Sequence, residues 1–481
     1  MKFSEMPYTR PDIESLKKLA ADIVARLDNA KSAKEQLDAY YEFEEASKTV
    51  ETLGTIAYIR HTINTKDEFY TAEQDWMDEV MPQLEEMSQN VNLALLRSPF
   101  RAELVAELGE LLFTNMEIAV RSFKPELMPL MAEENKLTSE YQKLYASAMV
   151  EFDGKTMPLP MLGPYKQSTD RAVRKAAYEA ELQCYDRIKD AIAFSMNSIK
   201  LETINECQLR GYESPLDQVL KNAYMKRETL DAMFSAIDEY LPKFWQYLKA
   251  KAKVLGHEGG LPWYDLFAPV GASSTKFTAE SARDFLVDLF SEFDSELAGM
   301  VAEAFDNAWI DFYPRDGKSG GAFCSGVECL GESRILTNFC GTFSDVVTLA
   351  HELGHAYHNL CIRDHLPLNH EYSMPVAETA STFNECVVMA AAIEKAADKA
   401  EKLSLIESQL QDATQIICDI YSRYRFETMV FENREEQFMD AEALCGMMLQ
   451  AQKQCYGDGL DHNVLHPYMW VCKSHYYGPT Y

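Results

Sequence analysis

His351, Glu352 and His355 stand within HELGHAYH, residues 351–358. Histidines four apart share one face of a helix, a turn from each other. Two imidazoles at that spacing can hold one Zn²⁺ at about 2.0–2.1 Å each. Glu352 then lies where it can reach a water on that ion and act as general base. A catalytic zinc takes three protein ligands and keeps one position open, so a third ligand has to come from elsewhere. One known pattern supplies a histidine six residues after the second, with a glycine three before it. Here Cys361 and His358 occupy those positions, and the pattern fails. His358 shares the helix face but stands about 10.5 Å along the axis from His351, at 1.5 Å per residue. That is too far to close the same tetrahedron, and His358 reads as a packed neighbour.

The flanks specify a helix. Thr342 and Asp345 form a Thr-x-x-Asp capping pattern at its start. Val346, Val347, Leu349, Ala350 and Leu353 make it apolar on most sides, so it is expected to be buried. A carboxylate and two imidazoles inside a buried helix need compensation, and a metal provides it.

Glu378 is the leading candidate for the third ligand. Ser373 and Pro375 mark the start of a second helix, VAETASTFNECVVMAAAIEKAA. Glu378, Ser381, Thr382 and Glu385 sit at i, i+3, i+4 and i+7 and form one narrow polar stripe on an otherwise mostly apolar helix. Glu378 would bind the ion, and Ser381, Thr382 or Glu385 could hold a histidine ring from behind. His365, His370 and Glu371 in the intervening loop are rivals, ranked lower because loops position ligands less well.

The rest of the chain has to position these two helices. Most of it reads as helix, with one apolar stripe and one charged face in each of 10–50, 71–97, 101–120, 134–150, 169–210, 227–255, 278–308, 375–400 and 403–435. Strand signals are few. Ala322–Cys324 and Arg334–Phe339 flank a Gly-containing connection and read as a small antiparallel sheet. MPLPMLGPYKQS at 157–168 breaks the helical period and suggests a lobe boundary. A chain of 481 residues calls for more than one core. Its net charge of -30, from 76 acidic and 46 basic residues, argues against nucleic-acid and anionic-membrane partners. Eleven cysteines without paired spacing, no apolar leader and no stretch long enough to span a bilayer fit a cytoplasmic protein with reduced thiols.

HELGHAYH followed by VAETASTFNE resembles the oligoendopeptidase F branch of the thimet-oligopeptidase-like zinc peptidases. GGAFCSG, RILTNFCGTFSDVVTLA and KFWQYLKAKAKVLGHEGGLPWYDLFAP are similar to that branch too, so the resemblance covers most of 160–481. It implies Zn²⁺ held by His351, His355 and Glu378, with Glu352 as the motif glutamate. It also implies a deep channel that admits short peptides. A strand beside the zinc would pair with the substrate backbone, a role falling on the run around Ala322–Ser325 or on Arg334–Phe339. SHYYGPTY, 474–481, begins a tyrosine-rich segment that in the family runs on into further helices, whereas this sequence stops at Tyr481. His475 and Tyr481 are its candidate oxyanion donors.

The expected protein is mainly α, with two helical lobes around a deep channel and a small antiparallel sheet beside the zinc helix. The N-terminal helical lobe spans 1–160, and the zinc peptidase lobe spans 161–481, ending before the family's last helices. The expected activity is zinc-dependent hydrolysis of short peptides. Two rivals differ in kind: a truncated relative that binds zinc and peptides without turnover, and a helical structural protein without metal. Oligomeric state is not legible.

Overall fold

A computed structural model describes residues 3–124, 141, 144–145, 147–271, 276–365, 369–370 and 372–478. The protein is mainly α, with two small sheets among the described residues. None of the described helices is long and apolar enough to cross a membrane. The chain forms two compact units, each built from two separate stretches: Met1–Phe123 with Ser274–Lys395, and Lys124–Ser273 with Ala396–Tyr481.

The division expected at residue 160 does not follow these units. The Pro-rich stretch there is not a linker. Met149–Phe152 (β1) and Lys155–Pro158 (β2) pair as an antiparallel hairpin, and Leu159 and Leu162 are buried. Asp153 and Gly154 take positive φ at its two-residue turn, as a primed turn requires. The helix expected over 134–150 lies mostly outside the described residues, and its last two positions belong to β1.

In the first unit, the N-terminal stretch folds as helices Ile13–Asn29, Ala33–Ile63, Glu68–Leu96, Arg101–Leu108 and Glu110–Ser122. Asp12, Ser32 and Asp67 cap the first three by accepting from backbone N–H groups two or three residues on. Their apolar stripes meet at Ile23, Leu27, Tyr40, Val91, Leu95, Leu104 and Phe113. The second stretch brings helices Ala279–Phe293 and Ser295–Asp306, a three-stranded sheet, and two further helices. One of these, Phe343–Ile362, carries HELGH and is called here the motif helix; the other is Met374–Lys395, the Glu378 helix.

The sheet has Ile310–Asp311 (β3), Phe323–Val327 (β4) and Glu332–Leu336 (β5) in the order β3–β5–β4. β4 and β5 are antiparallel, with Phe323 opposite Leu336 and Val327 opposite Glu332. The short β3 lies parallel to β5 on its other side, a third strand that two residues of sequence do not signal. Side chains alternate across the sheet. Phe323, Val327 and Leu336 pack with Ile56, Ile59 and Ile63 of the Ala33–Ile63 helix. Cys324 and Ile335 pack with Leu349, Leu353 and other residues of the motif helix on the opposite face. The sheet is thus a middle layer, and the motif helix is held against it.

Among its described residues the second unit is helical apart from its hairpin and loops. Arg171–Leu209 is its longest helix and packs with Ala441–Tyr456 and Ile420–Arg434 through Ile192, Met196, Phe426, Val430, Leu444 and Met448.

Candidate metal centre

Thr342 and Asp345 make the capping box expected of them. The Asp345 N–H donates to Thr342 Oγ1 at 3.2 Å, and the Thr342 N–H donates to Asp345 Oδ2 at 2.8 Å. The helix they start buries Val346, Leu349, Ala350, Leu353 and Ala356. This locks the rotation of the motif helix and turns the histidines toward the Glu378 helix.

The Glu378 helix crosses at close range. A Cβ on Gly354 would stand 2.6 Å from the Ala380 carbonyl oxygen and from Ser381 Cα, so the contact requires a residue without one. The buried Asn384 donates from Nδ2 to the Ala350 carbonyl at 3.1 Å and ties the two helices directly.

Across this contact three ligand atoms converge. His351 Nε2 and His355 Nε2 are 3.2 Å apart. Glu378 Oε2 is 3.3 Å from the first and 3.5 Å from the second. Ligand atoms each about 2.1 Å from one tetrahedral ion stand about 3.4 Å apart. The triangle therefore fits a single small divalent cation, with a fourth side open. It is the one group of three or more His, Cys, Asp or Glu side chains among the described residues that could hold a metal.

The surroundings orient each ligand. His351 Nδ1 lies 2.5 Å from Glu385 Oε1. An ionised carboxylate only accepts, so Nδ1–H is the donor and Nε2 presents its lone pair to the triangle. Ser381 Oγ donates to Glu378 Oε2 at 2.8 Å. His355 is hydrogen-bonded to the Ala377 backbone. The Glu385 bond raises the His351 pKa, against the effect of burial. Burial lowers that of His355 and favours the neutral form a metal needs.

Glu352 is 5% exposed, and its pKa is pushed up to about 7. Burial is the largest cause; His351 opposes it, while the charges of Glu378 and Glu385 add to it. A carboxylate poised near neutrality beside an ion site suits proton transfer.

Other sequence candidates fall elsewhere. His358 packs its ring on Tyr372, centroids 4.3 Å apart, with Nδ1 buried and unpartnered. His370 Nδ1 is 2.9 Å from Glu328 Oε2, and its Nε2 bonds the His365 carbonyl at 3.1 Å. Neither His365 nor His370 joins the triangle. Glu371 and Tyr481 lie outside the described residues. His475 sits in a short 3-10 turn, Ser474–Tyr477, of the second unit, and burial lowers its pKa. Thr382 Oγ1 donates to the Glu378 carbonyl oxygen within its own helix and holds no histidine. Gly354, Asn384 and Cys324 are not among the site residues that the sequence singles out. Cys324 is half-buried, and desolvation together with the Glu352 charge raises the pKa of its thiol. For Gly354 a signal was present: a glycine inside an otherwise strong helical run marks a close approach.

Residues 3–123 match the Peptidase M3 N-terminal domain, and residues 164–481 match Peptidase family M3. An oligoendopeptidase F homolog of Lactococcus lactis subsp. lactis (strain IL1403) is 26% identical over 378 residues, covering 74% of this chain and 62% of that protein. Oligopeptidase PepF of Bacillus subtilis (strain 168) is 27% identical over 299 residues, covering 62% of this chain and 44% of that protein. The chain thus spans about three fifths or less of the length of these curated relatives. Among solved structures, PZ peptidase A with an inhibitor matches at TM-score 0.82 and 26% identity, covering 100% of this chain and 86% of that one. Oligoendopeptidase-F from Enterococcus faecium matches at TM-score 0.63 and 17% identity, a likeness of fold. With its two matched regions and these neighbours, the chain belongs to peptidase family M3, in the oligoendopeptidase F branch.

Proposed function

We propose that this chain is a zinc-dependent endopeptidase of short peptides, with Glu352 as general base. The observation that carries the reading is the triangle of His351 Nε2, His355 Nε2 and Glu378 Oε2, with edges of 3.2–3.5 Å and Glu352 buried beside it. Two imidazoles and one carboxylate with an open fourth side are the donor set of catalytic zinc. Bound there, zinc supplies Lewis acidity to the scissile carbonyl and to the attacking water. Glu352 takes the proton from that water and passes it to the leaving amine. His475 and Tyr481 belong to this reading as hydrogen-bond donors to the developing oxyanion.

The substrate-pairing strand in this reading is β4. β5 is hydrogen-bonded on both sides, whereas β4 lies at the sheet's edge among the described residues. Backbone pairing at such an edge binds peptides with broad tolerance of sequence. The names of the relatives, oligoendopeptidase F and oligopeptidase, support short peptides as the substrate class. A cytoplasmic setting is part of this reading, supported by eleven cysteines without paired spacing in the sequence.

The test is zinc content measured together with cleavage of quenched fluorescent peptides. One zinc per chain and chelator-sensitive cleavage are expected. Glu352→Gln should keep the zinc and lose about 10²-fold or more in turnover. Full activity in that variant refutes the base. Zinc without cleavage in the unsubstituted chain leaves the alternative, a relative that binds zinc and peptides only.

A further inference from the structure

β4 sends Phe323 and Val327 toward the Ala33–Ile63 helix and Cys324 toward the motif helix. On the first face stands Tyr58, a residue of the Ala33–Ile63 helix. Its ring lies 5.3 Å from that of Phe323, tilted by 50°, and Tyr58 remains 42% exposed. Two aromatic rings thus line one face of the strand whose outer edge is unpaired among the described residues. The opposite face is that of the motif helix: Asn359 Nδ2 stands 4.0 Å from Cys324 Sγ and donates to Ser333 Oγ of β5 at 3.1 Å.

We propose that Tyr58 and Phe323 form a specificity platform that reads one side chain of a peptide bound along β4, favouring aromatic and branched aliphatic residues there. The inference rests on the peptidase reading above. Residues directly opposed across a strand pair point to the same face, with Cβ atoms about 4.5–5.5 Å apart. The peptide residue opposite Phe323 therefore projects over Phe323 and beside Tyr58. Its neighbours one step either way project to the face of Cys324 and the motif helix. The residue read by the platform thus sits next to the residues facing the catalytic side. An aromatic pair leaves room for an edge-to-face or offset third ring, and an apolar contact of this size discriminates by about tenfold or more. Backbone pairing alone is indifferent to side chains, so the platform is where a preference enters.

The experiment uses the zinc-loaded full chain and a library of peptides of one length, varied one position at a time, with cleavage sites sequenced. One position relative to the cleaved bond should favour Phe, Tyr, Leu or Ile over Ser or Gly by about tenfold in kcat/KM. In Tyr58→Ala that ratio should fall below about twofold. In Tyr58→Leu the aromatic preference should drop while Leu and Ile stay favoured over Ser. Tyr58→Glu should turn the same position toward Lys over Asp. Each ratio compares two peptides in one preparation, so a change in the fraction of folded enzyme cancels. Cleavage by the unsubstituted enzyme without any apolar position, or variants that keep its ratios, overturns the platform and leaves the peptidase reading standing. A zinc-loaded chain that cleaves no peptide at all overturns the peptidase reading first, and the platform with it.

Discussion

Four side chains define the site, and three of them, His351, His355 and Glu378, are held by groups that the chemistry does not consume. Glu385 is the clearest case, because its Oε1 takes the Nδ1 proton of His351 and leaves Nε2 facing the triangle. Removing it frees the ring to rotate and to change tautomer. Glu385→Ala should weaken zinc binding about 10–100-fold, measured by competition with a chromophoric chelator. An unchanged affinity would show that packing alone orients His351. Glu352 sets a pH dependence in the metal-free protein. Its folded pKa is raised from 4.5 to about 7, so the folded state holds this proton more tightly than the unfolded state does. The contribution is complete below about pH 4.5 and is lost as pH rises through about 7. Metal-free Glu352→Gln does not titrate there. Its stability relative to the unsubstituted chain should therefore rise from pH 5 to pH 8, by about 2.5 kcal/mol at 1.36 kcal/mol per pH unit. Denaturant midpoints at the two pH values check this. At this scale the sequence was informative, because His351, Glu352 and His355 are local in one helix and Glu378 and Glu385 lie about two turns apart on a polar stripe. It did not say which of Ser381, Thr382 and Glu385 serves His351. That depends on how the two helices are rotated about their axes.

The helix-on-helix contact is what turns the two motifs into one site. Gly354 allows the approach, and Asn384 bonds across it to the Ala350 carbonyl. A methyl at Gly354 meets backbone at 2.6 Å, and backbone yields less readily than a side-chain tip. Gly354→Ala should therefore cost about 1–3 kcal/mol and reduce zinc affinity at the same time, read from thermal melts and zinc titration. Native stability and affinity in this variant would mean that the helices separate without harm. The sheet shows where element-level reading stops. β4 and β5 were legible from two short runs and a glycine between them. β3 is two residues long and owes its strand geometry to β5. The β1–β2 hairpin has a signal in Asp153-Gly154, flanked by Glu151-Phe152 and Lys155-Thr156, which the helical reading of 134–150 leaves out.

At the scale of the molecule, all three candidate ligands belong to the first unit, in its second stretch. An ion bound only by the folded form stabilises it by mass action, by about 2.7 kcal/mol at a free concentration one hundred times Kd. Calorimetry with zinc and then with chelator should move the transition of the first unit upward and back. A melt that ignores both would argue against zinc at the triangle. By itself the sequence determined the helical class, the motif helix with its capping box, the ligand candidates and the family resemblance. Each of these rests on residues within a turn or two of each other, where spacing dictates geometry. The tertiary structure decided three other things: that residues 1–123 and 274–395 share a unit, that β4 rather than β5 lies at the sheet's edge among the described residues, and that Glu378 Oε2 stands within 3.5 Å of both imidazoles. These depend on contacts between segments far apart in the chain, set by burial and shape at crossings such as Gly354, which no local period encodes.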